Sequence, residues 1–361
     1  MKIGKLSLGA AVLALILMSP GCKKKEANVE PVADTETQTA VDAMWATFLI
    51  TDVDQLCGFM GEDQFTENFY TPSAAADGVN YQVIRDTTGR QKAVTWRNGP
   101  ILCKDGRKRE GSLFMYYKKD AISNPDANAN SRYYRDFGFV GNLAFQDFKV
   151  DGWQINLFDP ANRAYVYNKM TTDKYDPTST RLTWLIAGKF LIQHPTDASK
   201  DIVWEGQLWK VLTNSTDKDI FAVSKQGQIR WVRPDLKPAE AALIEYYTEK
   251  PITGFTGTNK PFTLTVNKAT PLVRDFLCSG DPVAAVTASV SGTTTEYLPV
   301  IEEHHPFIKG IVSFTTGLAA DNKYPRQIYV GNEATPDQPQ QCDNTGVVLI
   351  KGNSYPVNFR K

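Results

Sequence analysis

Arg181-Leu-Thr-Trp-Leu-Ile-Ala-Gly-Lys-Phe-Leu-Ile192 and Ile202-Val-Trp-Glu-Gly-Gln-Leu-Trp-Lys-Val-Leu212 are two long runs rich in β-branched and aromatic residues, carrying Trp184, Trp204 and Trp209. Such side chains fit a pleated, half-buried surface. Working outward, Trp153 to Leu157 and Phe262 to Val266 alternate apolar and polar residues, the period of a strand with one buried face. Val347 to Ile350, then Lys351-Gly352-Asn353, then Ser354 to Phe359 reads as a closing hairpin. Turn signals separate the runs: Asp105-Gly106, Val150-Asp151-Gly152, Gln226-Gly227, Gly257 to Pro261 and Asp321-Asn322-Lys323. Strands joined by short polar turns imply antiparallel pairing. The pattern from about Val79 onward therefore predicts an all-β fold, a large antiparallel meander or sandwich-like sheet.

One segment before that region has a different period. Val41, Met44, Trp45, Phe48, Leu49, Val53 and Leu56 recur at helical spacing. Thr35 with Gln38 makes a capping-box pattern, and Gly58 offers a stop. The spacing predicts one N-terminal helix near 36–57 whose apolar stripe lies on the sheet; the alternative use of such a stripe is to bind a partner. Pro238 to Tyr247, with an early proline and Ala, Leu and Ile at helical spacing, predicts a short second helix. Residues 120–131 read as a long hairpin loop. Neither a domain joint nor a solenoid repeat breaks residues 36–361, which read as one β-rich domain.

The chain has 361 residues, 42% of them hydrophobic and 22% charged, which is ordinary globular composition. Forty basic side chains balance forty acidic ones, which argues against a general nucleic-acid binder. The N-terminus reads differently. Lys2 and Lys5 precede an apolar run from Leu6 to Met18, and Ser19-Pro20-Gly21-Cys22 follows. The run is too short to span a bilayer, and small residues behind it fit a peptidase site. This segment resembles a bacterial lipoprotein signal peptide, with residues 1–21 removed before Cys22. Ser19 stands where many lipoboxes carry leucine. The resemblance implies a diacylglyceryl thioether on Cys22 and outer-membrane anchoring, with the periplasmic or surface face left open. Residues 22–35, polar after Lys23-Lys24-Lys25, then read as the lipidated cysteine and a flexible tether.

With Cys22 lipidated, Cys57, Cys103, Cys278 and Cys342 remain. In an oxidising compartment an even set of cysteines suggests disulfides, although sequence alone allows three pairings. Proximity along the chain favours Cys57–Cys103 and Cys278–Cys342. Either would contribute about 4 kcal/mol in the chain-entropy account.

Three further segments carry a second resemblance. They are Cys103-Lys-Asp-Gly106-Arg-Lys-Arg109-Glu-Gly111, the stretch from Ile252 through Phe262–Val266 and Thr270-Pro271 to Cys278, and Cys342-Asp-Asn344 before the closing hairpin. Together with the helix behind an acidic tether, they resemble an uncharacterised family of β-rich Bacteroidota envelope lipoproteins. The resemblance implies a fold and a location, and no activity. Physically the motifs suit scaffold roles: Asp105-Gly106 for a tight turn, Thr270-Pro271 for a strand start.

Candidates for chemistry are sparse. No P-loop, GxGxxG, HExxH or GxSxG pattern occurs. Glu302-Glu303-His304-His305 is the strongest metal pattern. On a strand Glu302 and His304 share one face while Glu303 and His305 share the other, so the pattern is a weak ligand set. Asp126-Ala-Asn128-Ala-Asn130 has the oxygen spacing of a calcium loop but lacks its glycine and terminal glutamate. Tyr133, Tyr134, Phe137 and Phe139, with Trp204 and Trp209, are candidates for core packing or for stacking on sugar rings. Three histidines, including His194, do not assemble a triad. The sequence thus predicts no cofactor, no catalysis and no nucleic-acid partner. The expected role is a noncatalytic structural or ligand-binding one at the membrane, with a glycan or protein partner. A glycan-binding or pilus-like adhesin subunit is the alternative, and an envelope-polymer hydrolase the third reading.

Overall fold

The computed structural model describes residues 34–61, 72, 80–103, 106–119, 129–134, 136, 138–168, 181–213, 243–257, 260–274, 307–316, 326–331 and 344–359. Residues 35–361 form one compact unit. It is an antiparallel all-β meander with a single helix among the described residues.

Helix α1 spans Asp34–Gly61. It runs through Gly58, where a stop was expected, because Phe59 and Met60 are buried and packing extends the helix another turn. It ends at Gly61, whose carbonyl accepts from Lys92 Nζ at 3.0 Å and from the Tyr134 amide at 3.3 Å. The Gln38 side chain donates forward to Asp42 Oδ1 within the first turns of the helix.

Strands β1 (Tyr81–Asp86), β2 (Gln91–Leu102), β3 (Lys108–Tyr116) and β4 (Val140–Val150) pair in succession. β5 (Trp153–Leu157) and β6 (Tyr165–Asn168) share one lane between β4 and β7 (Arg181–Gln193). β7 pairs along its length with β8 (Ile202–Thr213). The far side of β8 is shared by β9 (Leu243–Tyr247) and β10 (Ile252–Thr256). β11 (Lys260–Val266) continues from β10, and β12 (Leu272–Arg274) pairs with β9. β13 (Phe307–Lys309) lies on β12, and β14 (Ile311–Thr316) on β11. β15 (Arg326–Tyr329), β16 (Thr345–Ile350) and β17 (Asn353–Asn358) complete the meander.

Two hairpins rest on two-residue turns with both residues at positive φ: Asp151 (50°) with Gly152 (84°), and Lys351 (53°) with Gly352 (82°). This backbone matches the strand twist, which explains the glycine at each second position. Asn353 joins β17 instead of the turn.

The expected helix over 238–247 is corrected where it is described. Residues 243–247 are β9, clamped between β8 and β12, and Ile244, Tyr246 and Tyr247 are buried. Ladder pairing on both sides overrides a weak helical spacing.

The larger correction concerns α1. Only one stripe was expected to be buried, yet from Thr39 to Gly61 every residue except the half-buried Asp42 is buried. Its contacts come from widely separated lanes. Trp45 meets Trp153 of β5 at a 6.2 Å ring separation. Phe48 meets Phe307 of β13 at 5.2 Å and Phe359, just after β17, at 5.5 Å. Trp204 of β8 donates to Thr47 Oγ1 at 3.3 Å. The sheet therefore wraps around the helix over residues 39–61, where every side chain but the half-buried Asp42 is buried. Each large apolar side chain so enclosed contributes about 1.5–3 kcal/mol. Thr47 and Thr51 fit the apolar enclosure because their hydroxyls donate back to the Ala43 and Phe48 carbonyls at 2.9 and 2.8 Å.

Candidate functional site

An enclosed helix cannot carry unpaired carboxylates, since desolvating an isolated charge is prohibitively expensive. α1 carries Asp52 and Asp54, both buried. Two residues apart on a helix, they point about 160° away from each other. Each meets its own set of cations and donors, drawn from the surrounding strands and, for Asp54, from the turn before β4 that carries Tyr134.

Asp52 faces β3 and β12. Arg109 Nη2 bonds both carboxylate oxygens, at 2.9 and 3.1 Å, and Arg274 Nη2 lies 3.7 Å from Oδ1. Arg274 also donates to Thr51 Oγ1 at 3.0 Å. Neighbouring Arg107 pairs with Asp151 at 2.7 Å. Burial works against the ionised carboxyl of Asp52, but Arg109, then Arg107 and Arg274, outweigh it and hold it below the usual carboxylate range.

The segment Cys103–Gly111 supplies this face. Cys103 and Arg107 close a turn through a 2.9 Å backbone bond, with Gly106 at φ 78° inside it. Strand alternation then aims Arg109 inward. Gly111, at φ 82°, sits against a bulge in β4 where Asp147 takes φ 50°. A Cβ on Gly111 would run into the Asp147 carbonyl. The bulge shifts the alternation so that Phe148 and Val150 face the core.

Asp54 faces β8 and β9. Lys210 Nζ lies 2.7 Å from Oδ2, with both side chains fully buried. Tyr246 donates to Oδ2 at 2.9 Å, and Tyr134 to Oδ1 at 3.0 Å. Gln55 Nε2 donates in turn to the Tyr246 hydroxyl. The Lys210 ammonium also lies 4.7 Å from the Tyr134 ring and 5.6 Å from that of Trp184, and those two rings stack at 5.2 Å. Tyr134 is fixed through its carbonyl, which accepts from Trp184 Nε1 at 2.8 Å and Asn168 Nδ2 at 3.0 Å. Burial pushes Lys210 below the ordinary ammonium value, opposed by Asp54. Burial, then the Asp54 carboxylate, pushes both tyrosine hydroxyls well up.

The expected Cys57–Cys103 pairing is corrected. Cys57 and Cys103 are both buried thiols and are not joined to each other. Closeness along the chain is a poor guide here. Cys57 lies one turn beyond Asp54, beside Asp54 and Lys210, whereas Cys103 lies beside Tyr81 at the end of β2. Burial, then Asp54, pushes the Cys57 thiol well up.

Other expectations divide. Tyr134, Phe139, Trp204 and Trp209 are buried, so they pack the interior and present no stacking surface. Tyr116, Phe158 and Phe255 are exposed instead. His194 caps a turn: its Nδ1 accepts from the Thr196 and Asp197 amides at 3.2 and 3.1 Å. Cys22, Cys278, Cys342, Glu302, Glu303, His304, His305, Asp126, Asn128 and Phe137 lie outside the described residues. Among the described residues no three metal-ligating side chains converge, and no helix is long and apolar enough to cross a membrane.

The sequence reading missed Asp52, Asp54, Lys210, Arg109, Arg274, Tyr134 and Tyr246 as a set. A signal existed: two aspartates two residues apart inside an apolar helical run, and Lys210 in the same alternation as the buried Ile202, Trp204 and Leu208. Comparison with protein-family models, curated proteins and solved structures finds no match.

Proposed function

We propose that the chain is a lipid-anchored envelope protein with a noncatalytic structural or ligand-binding role, tethered through Cys22. The supporting observation is where the polar chemistry goes. Asp52, Asp54, Lys210, Arg109 and Arg274 are almost wholly withdrawn from solvent and spent on one another. That arrangement fixes a helix in its sheet and keeps these five side chains away from solvent. The short polar segment between Cys22 and α1 fits a tether that holds the body off the bilayer.

A second reading, a pilus-like subunit, draws on the sheet ends. Among the described residues β1 pairs only with β2, and β17 only with β16. Such an edge accepts an added strand.

Cell fractionation with peptide-level mass analysis tests the main reading. The wild type is expected in the outer-membrane fraction with acyl mass on Cys22, and Cys22→Ser in the soluble fraction. Turnover of an envelope polymer, abolished by one side-chain change, would overturn the noncatalytic role. Polymer ladders on unheated gels would favour the pilus-like reading.

A further inference from the structure

We propose that Lys210 and Asp54 condense into an intramolecular amide that covalently joins α1 to β8. The juxtaposition carries this inference: a primary amine nitrogen 2.7 Å from a carboxylate oxygen, both side chains fully buried, with hydroxyl donors on both carboxylate oxygens. Both side chains are withdrawn from solvent, which limits the access of water, the species that would reverse the reaction. Reacting groups held at such a distance in a dry site correspond to very high effective concentrations, about 10⁵–10⁸ M in well-oriented cases.

The chemistry balances within the cluster. An ammonium proton passes to Asp54 Oδ2 along the 2.7 Å contact, leaving a neutral amine and a carboxylic acid. In a desolvated site the neutral pair costs less than it would in water. The depressed ammonium value of Lys210 acts in the same direction. The Nζ lone pair then attacks Cγ, and the C=O electron pair moves onto Oδ1, where the Tyr134 hydroxyl donates. A second amine proton moves to Oδ2, the Cγ–Oδ2 bond breaks, and the carbonyl at Oδ1 re-forms. Of the three ammonium protons, one stays on the amide nitrogen and two leave with Oδ2 as water. No oxidant, reductant or external group takes part.

The surroundings suit this product. The Tyr134–Trp184 stack walls the lysine, fixing Nζ above the helix. Gln55 orients the Tyr246 hydroxyl beside the leaving oxygen. The amide also has a mechanical consequence. α1 is the element adjoining the segment read as a tether, so a bond to β8 prevents the helix from being drawn out of its sheet under load.

The test is tryptic mass analysis of the reduced, denatured wild-type chain, so no variant has to fold. Trypsin does not cut after an acylated lysine. The expected product is a branched peptide in which residues 26–85 are joined to residues 201–218, with cleavage at Lys210 blocked and the mass of one water missing. Unlinked peptides 26–85 and 201–210 as the main species would overturn the proposal and leave Lys210–Asp54 an ion pair.

Discussion

Replacing Asp52 by Asn removes one negative charge from the helix face opposite Lys210 and leaves the shape almost unchanged. Arg109 then loses its charge-assisted pair at 2.9 and 3.1 Å, and Arg274 the counter-charge 3.7 Å from its Nη2. Both guanidiniums are fully buried, so water cannot compensate. Breaking such a pair from one side costs about 3–5 kcal/mol. The asparagine oxygen still accepts one hydrogen bond, which places the expected loss near the lower end, about 3 kcal/mol. The pH dependence has a definite sign. The Asp52 carboxyl is depressed in the folded state, so its contribution is complete above the unfolded value, about 3.9. It is lost as the pH falls from there through the folded value. Urea unfolding followed by tryptophan fluorescence, over a pH series, measures both effects. The gap between wild type and Asp52→Asn should be widest near neutrality and should close in acid. A double-mutant cycle with Arg109→Met should give a coupling of about 0.5–3 kcal/mol. A neutral-pH loss below about 1 kcal/mol, or a gap that ignores pH, would refute the assignment of Asp52 as a buried, paired carboxylate.

Three other outcomes follow from the same structure. Phe48→Ala empties a site lined by Trp45, Phe307 and Phe359 and should cost about 3–5 kcal/mol in unfolding free energy. Gly111→Ala should destabilise by more than about 1 kcal/mol, because positive φ and the Asp147 carbonyl both oppose a side chain; an unchanged denaturation midpoint would contradict the bulge. The Cys57 thiol, pushed well up by its burial, should resist alkylation in the native state even in mildly alkaline buffer, and react once urea unfolds the chain.

Strand positions were legible because a sheet with one buried face imposes period two on its sequence. Trp153–Leu157 is β5 as read, and the long runs at 181–192 and 202–212 lengthen into β7 and β8 by only one residue each. The turns at Asp151-Gly152 and Lys351-Gly352 were legible because positive φ selects for glycine. The burial of α1 was not. Helical periodicity reports an apolar stripe, and Thr47, Thr51, Asp52, Asp54 and Gln55 read as a solvated face when their partners are unknown. Those partners arrive from residues 109, 134, 204, 210, 246 and 274, and only the folded sheet brings them together. The Cys57–Cys103 expectation failed for a related reason: chain proximity does not reveal which side of an enclosed helix a cysteine occupies.

The claim on which the account depends is that α1 lies inside the sheet. Amide hydrogen exchange of the intact chain under native conditions measures this directly. Residues 43–57 should be among the slowest to exchange and should open only with global unfolding, at a rate matching loss of the β7–β8 ladder. Exchange of that segment well before β7 and β8, at the pace of a surface helix, would contradict the enclosure.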